Sequence, residues 1–152
     1  ADIACQSAAE ARAMGHEPRV ALLSFSNFGN PPLEAAVRVR EAIEVLDSRD
    51  VDFEYEGEIS ADVALNENLR ALYPFCRLSE PANVLVMPAL HSANISSKLL
   101  QELGGASLVG PLLMGLEKPA QIVQMGATVA DMVNMAKFAA HEAIREQARG
   151  AP

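Results

Sequence analysis

Two periods of apolar residues alternate along this chain, and they predict alternating helices and strands. Residues 2–14 place Ile3, Ala4, Ala8, Ala11 and Met14 at helical spacing, and Gly15 ends the run. RVALLSFS (19–26) is a short apolar run between Pro18 and the turn NFGNPP, which predicts a buried strand with the turn at its C-terminal end. Asn30 is expected to cap the next helix, with Pro31 at its first position. That helix should reach Asp47 and turn Leu33, Val37, Ile43 and Leu46 inward. VDFEYEGEI (51–59) alternates Val, Phe, Tyr and Gly against Asp52, Glu54, Glu56 and Glu58. Strand alternation with one acidic, solvated face predicts a sheet edge.

Ser60 is expected to start a helix running to about Leu72, followed by a loop over YPFCRLSEPA (73–82). NVLVMPAL (83–90) is the clearest buried strand, stopped by Pro88. HSANISSKLLQELGG predicts a helix with Ser92 as its cap and Gly104-Gly105 at its end. The segment 106–127 is expected to hold one or two short strands, broken at Gly110-Pro111 and Lys118-Pro119. A last helix should run from about Val129 to Glu146, with Met132, Val133, Ala136, Ala140 and Ile144 on its inner face. The alternation predicts an α/β domain, three layers α/β/α around a largely parallel sheet. Such sheets hold ligands beyond the carboxyl ends of their strands. The loops to watch are therefore SFSNFGNPP, MPALHSAN, VGPLLMG and QMGAT.

Composition narrows the partners. The chain has 152 residues, enough for one domain with its own core, and is 50% hydrophobic but only 5% aromatic. The net charge of −8 argues against nucleic acid, and an anionic ligand would need local dipoles or placed cations. No segment offers an 18-residue apolar run, so no membrane partner is expected. Cys5 and Cys76 lack C-x-x-C spacing, which points to a reducing cytoplasm rather than a disulfide framework or zinc. The chain opens without an initiator Met in an already helical pattern, as a fragment of a longer protein would.

Residues with chemistry to offer are few. His16, His91 and His141 lack metal-ligand spacing, and no metal site is expected. There is no G-x-S-x-G elbow and no phosphate loop. Ser24 and Ser26, before the NFGN turn, suit either local backbone contacts or a ligand's polar groups. Asn94 and Lys98 share one helix face, either as cap and solvent contact or as an anion or amide contact at the helix start. Thr128 and Asp131 have the spacing of a capping box, and Thr128 as cap is worth about 1 kcal/mol.

ALLSFSNFGN, NVLVMPALHSANISSKLLQELGG and VGPLLMGLEKPAQIVQMGATVADMVNMAKFAA together resemble the phosphate acetyltransferases and butyryltransferases. The sequence also resembles the phosphotransacetylase-like domain at the C-terminus of bacterial NADP-dependent malic enzymes. The resemblance covers nearly the whole chain but only the later half of the family's domain. It implies the second of two α/β lobes flanking a cleft for coenzyme A and the acyl group. Ligand contacts are then expected from Ser24, Ser26, Asn27, Asn94, Lys98, Gly126 and Thr128. Active relatives usually carry Leu-Ser-Arg-Gly before the last helix and an Asp shortly after. Here Gln124 and Met125 stand at the Ser and Arg positions, Gly126 at the Gly, and Asp131 keeps the acid. Relatives also tend to have Ser-Thr-Lys-Gly where this chain has Ser26-Asn27-Phe28-Gly29.

Met offers no hydrogen-bond donor, and a lost aimed donor typically costs on the order of 10²–10³ in rate. The expected function is therefore an acetyl-CoA-sensing, allosteric and oligomerising domain, itself without catalytic residues, Asp131 being the one weak candidate. Acetyl-CoA or CoA is the expected ligand, with no cofactor in this domain. NADP and a divalent metal would belong to the parent enzyme's other domain, which oxidatively decarboxylates malate. Alternatives are an active phosphate acetyltransferase fragment and an assembly platform without ligand. The partners expected are the remainder of the malic enzyme chain and further copies of it.

Overall fold

The computed structural model describes residues 1–105 and 108–150. The chain divides into two units, Ala1–Ser96 and Ser97 onward.

The first unit is a parallel sheet with helices on both faces. Strand β1 (Arg19–Leu23) lies between β2 (Glu54–Ile59) and β3 (Val84–Val86), both parallel to it. Alternate β1 side chains enter two cores, the pattern expected of a strand buried on both faces. Val20 and Leu22 pack with Ala4 and Ala8 of α1 (Asp2–Ala13) and with Val39, Ile43 and Leu46 of α2 (Val37–Asp47). Ala21 and Leu23 pack on the other face with Ile59, with Val63 and Ala64 of α3 (Ala61–Leu65), and with Leu78 and Ala82 of the following loop.

Several expectations are corrected. Asn30 caps no helix: it pairs by backbone with Asn27, closing the 27–30 turn. The helical path starts as a 3-10 turn, Glu34–Ala36, and α2 begins only at Val37. Leu33 is exposed and Val37 borders on exposure, because the chain is still rounding the corner there. The helix predicted from Ser60 to Leu72 is broken at Asn66, whose side chain accepts from the Asn68 and Leu69 amides and so starts α4 (Glu67–Arg70). NVLVMPAL forms a half-buried three-residue strand at the edge of the described sheet.

The largest correction concerns β2. It is an edge strand, as predicted, but Glu56 and Glu58 are buried. Pairing with β1 shifts register between Leu22 and Leu23, whose partners are Gly57 and Ile59, so Glu58 is the extra residue of a bulge. Gly57 is needed beside it, since an added Cβ would lie 2.9 Å from both Cβ and O of Leu22.

In the second unit, α5 (Leu90–Gly104), which starts in the first unit, has no buried residue. Ser92 is not its cap as expected: the helix begins two residues earlier, at Leu90, and the Ser92 hydroxyl, inside the helix, accepts from the Ala89 amide and donates to its carbonyl. Among the described residues of 108–127 no strand forms; Ala106 and Ser107 lie outside them. The Gln121 side chain takes over a strand's role, exchanging hydrogen bonds with Leu113 N and O and donating to Glu142. Helix α6 (Val129–Gly150) buries Met135 and half-buries Phe138, Ala139, Glu142 and Ala143. The predicted inner residues Met132, Val133, Ala136, Ala140 and Ile144 are all exposed, so the packed stripe lies on another side of the helix.

Candidate functional site

Two loops, one in each unit, carry all the ligand candidates except Asn94 and Lys98, which lie on α5. In the first unit, the SFSNFG loop follows β1 directly. Its turn is left-handed at Phe28 (φ 51°) and Gly29 (φ 84°). The buried Glu58 carboxylate holds it, accepting from Ser26 Oγ at 2.6 Å, Gly29 N at 3.2 Å and Arg40 Nη1 at 3.0 and 3.1 Å. A carboxylate facing Arg40 acts as acceptor, so Ser26 must donate to it. The Ser24 hydroxyl, 3.1 Å from Ser26 Oγ, is then the donor in that pair. Ser24 Oγ accepts from Ser26 N at 3.5 Å and retains one further lone pair, and Ser26, fully buried, is committed to the scaffold. Asn27 Oδ1 accepts from Ser60 N (2.7 Å) and Oγ (3.0 Å), tying the loop to the start of α3. Phe28 packs on Tyr73 and Phe75, with ring centroids 4.9 and 4.8 Å away.

The other β2 glutamates anchor the 73–82 loop. Glu56 accepts from Arg77 N at 2.8 Å and pairs with its guanidinium at 3.3 Å. Glu54 accepts from the Ser79 amide and hydroxyl. Arg77 also pairs with Asp47 at 2.6 Å and lies 4.5 Å from the centre of the Tyr55 ring. The hydrogen bond from Tyr55, then that from Arg77, hold the Asp47 carboxyl below the usual range. Sequence reasoning missed Glu58, Glu56, Arg40 and Arg77 as loop anchors. The only signal was three glutamates spaced two apart, and alternation alone assigned them to solvent.

In the second unit a cavity of about 420 Å³ is lined by Gln101, Gly110, Gln124, Gly126, Asp131 and Asn134, among others. Its described lining is aliphatic and amide-rich, with Asp131 as its one charged residue. The Ala127 amide donates to Gln124 O, turning the chain so that Met125 projects fully into solvent. Thr128 and Asp131 form a reciprocal capping box. Asp131 Oδ2 accepts from Thr128 N at 2.8 Å and Oγ1 at 2.7 Å, and the Asp131 amide donates to Thr128 Oγ1 at 3.2 Å. The hydroxyl and then the amide of Thr128 hold the carboxyl below its ordinary range, which makes it a weaker proton acceptor. Gly126 lines the cavity, and Lys98 is exposed on α5. Because α5 begins at Leu90, Asn94 falls in its second turn rather than at the helix start as expected, within the first unit. Gln101 and Asn134 join the cavity without having been expected; both lie inside the stretches that carry the family resemblance, but neither was given a role there. No group of three or more potential metal ligands occurs among the described residues, and none of their helices is long and apolar enough to cross a membrane.

The fold is that of phosphotransacetylases. The EutD phosphotransacetylase from Staphylococcus aureus superposes with a TM-score of 0.86 and 33% identity, over 93% of this chain and 44% of that one. A phosphotransacetylase from Streptococcus pyogenes superposes with a TM-score of 0.87 and 33% identity, over 95% and 44%. The chain belongs to the phosphate acetyl/butaryl transferase family, whose model matches residues 1–140. It is similar to the NADP-dependent malic enzyme of Rhizobium meliloti (strain 1021), 58% identical over 94% of this chain and 19% of that protein. It is also similar to the phosphate acetyltransferase of Treponema pallidum (strain Nichols), 42% identical over 88% of this chain and 41% of the relative. The chain thus spans about a fifth of the malic enzymes it matches and less than half of the transacetylases.

Proposed function

We propose that this chain is the C-terminal phosphotransacetylase-like domain of an NADP-dependent malic enzyme, and that it binds acetyl-CoA as an effector without transferring the acetyl group. The observation that carries this reading is the turn at Gln124-Met125-Gly126. Active members of the family place an arginine where Met125 projects into solvent, and the adjoining cavity holds no cation among its described lining residues. Phosphoryl and acyl transfer need a donor aimed at the charge that develops in the transition state. Met125 supplies none, and Asp131 is committed to Thr128.

What remains suits binding. A cavity of aliphatic and amide groups accommodates a neutral thioester and amide arm better than a phosphate dianion. The effector would act on a separate dehydrogenase domain by binding two states of the whole enzyme unequally. NADP and a divalent metal belong to that other domain in this reading, and the protein assembles as a homo-oligomer in the cytoplasm.

The test uses the full-length protein. Calorimetry with acetyl-CoA should show binding, and malate oxidation should respond to it, while acetyl phosphate plus CoA should yield no acetyl-CoA. Rapid phosphate-dependent acetyl-CoA formation overturns the reading in favour of an active transacetylase. That second reading draws on the 42% identity to a phosphate acetyltransferase. No binding at millimolar acetyl-CoA would leave an assembly role alone.

A further inference from the structure

Hydrogen-bond direction through the SFSNFG loop fixes what the loop can offer a ligand. The chain of contacts starts at Glu58, whose side chain is fully buried and faces Arg40 as a carboxylate. A carboxylate only accepts, so the single hydroxyl proton of Ser26 goes to Glu58, 2.6 Å away. Ser26 Oγ must then accept in its 3.1 Å contact with Ser24, which uses the single proton of the Ser24 hydroxyl. One Ser24 lone pair accepts from Ser26 N at 3.5 Å. What half-buried Ser24 has left is one lone pair and no proton.

The loop backbone is turned the same way. Sites that hold phosphate converge several free amides on the anion. Here Ser24 N donates to Ile59 O, and Asn27 N and Asn30 N donate to each other's carbonyls. Phe28 N donates to Glu58 O and Gly29 N to the Glu58 carboxylate. Of residues 24–30 only the Phe25 amide has no partner among the described residues, and the stretch carries no Lys or Arg. The buried carboxylate and the turn itself take up the donors that an anion would need. One side-chain donor is left. Asn27 Oδ1 accepts from Ser60 N and Oγ, which fixes the orientation of the carboxamide and leaves Nδ2 without a hydrogen-bond partner among the described residues.

An acceptor on Ser24 and a donor on Asn27 are the complement of an amide's N–H and C=O, and not of a phosphate ester, whose oxygens only accept. We infer that Ser24 is a specificity-determining residue: its Oγ accepts a hydrogen bond from an amide N–H in the arm of an acyl thioester, and the loop excludes phosphoryl groups. Acetyl-CoA carries such amides between its thioester and its nucleotide, and acetyl phosphate carries none. The inference rests on the reading of acetyl-CoA as the effector, and concerns the first unit alone.

The test uses the full-length protein and competition against acetyl-CoA. S-Acetylpantetheine, which has both amides and no phosphate, should compete. Ester analogues of it, with each amide N–H replaced in turn by O, isolate the contact. One of them should bind the wild-type protein about tenfold more weakly, the effect of one lost hydrogen bond. In Ser24→Ala the amide compound should weaken by about as much, and that ester should lose nothing further. Ser24→Thr keeps the hydroxyl and should restore the preference for the amide. Acetyl phosphate at millimolar concentration should leave hydrogen exchange over 24–30 unchanged. If Ser24 is only a scaffold or a solvated group, Ser24→Ala weakens amide and ester alike or neither, which overturns the inference. Slowed exchange over 24–30 with acetyl phosphate overturns it too. Acetyl-CoA binding that is indifferent to Ser24 would leave the proposed function standing, whereas a wild-type protein that binds no acetyl-CoA would sink both.

Discussion

Replacing Glu58 by Gln tests whether one buried carboxylate organises the ligand loop. The Glu58 side chain is 0% exposed and receives three groups: Ser26 Oγ, Gly29 N and the Arg40 guanidinium. Gln keeps the shape and one oxygen, so Ser26 and Gly29 retain an acceptor. The charge opposite Arg40 is lost. Breaking a fully buried pair typically costs about 3–5 kcal/mol. Arg40 is 34% exposed, so water recovers part of its solvation and the cost falls to about 2 kcal/mol. For a domain of this size each kcal/mol moves the melting temperature by about 2–4 °C, so Glu58→Gln should melt about 4–8 °C lower. Glu58→Ala also opens a void and orphans all three donors, and should cost about 3–5 kcal/mol. Thermal and urea unfolding read both values. A Glu58→Gln protein that melts within about 1 °C of the parent would mean that the network does not hold the loop, and the account of β2 given above would be wrong.

Other outcomes follow from single contacts. Gly57→Ala forces a Cβ to 2.9 Å from the Leu22 backbone oxygen and should destabilise by about 1–3 kcal/mol; unchanged urea unfolding would contradict the close approach. Asn66→Ala removes the acceptor for two α4 amides and should cost about 1 kcal/mol, read by the same unfolding. The Asp131 carboxyl titrates below its ordinary 3.8, so its contribution to stability is present above that pH and is lost as pH falls through the lower folded value. In Thr128→Ala, a carboxyl NMR titration should show Asp131 moving back up towards 3.8, and an unmoved midpoint would count against the capping box. Asp47 follows the same sign, and Arg77→Met should raise its midpoint.

The linear pattern by itself determined the fold class, the order of the three strands and the family, but not the break at Asn66 nor the absence of strands in the described residues of 108–127. Val20 to Leu23 read as a strand buried on both faces because four successive apolar residues leave no polar side, and the structure sends them alternately into two cores. The Thr128-x-x-Asp131 box was legible because it closes within four residues. That the turn before the last helix carries Met125 and no cation was legible as well, since a motif is read position by position. Tertiary structure decided whatever depended on partners distant in sequence. Glu56 and Glu58 alternate like a solvated face. They are buried because a bulge at Glu58 and cations 18 and 21 residues away, Arg40 and Arg77, make burial favourable. The side of α6 that faces inward was equally hidden: Ala, Met and Val encircle the helix, and only packing selects Met135 over Met132. A charge's environment is not local in sequence, so a strand of alternating glutamates reads as exposed until the fold supplies what pairs with them.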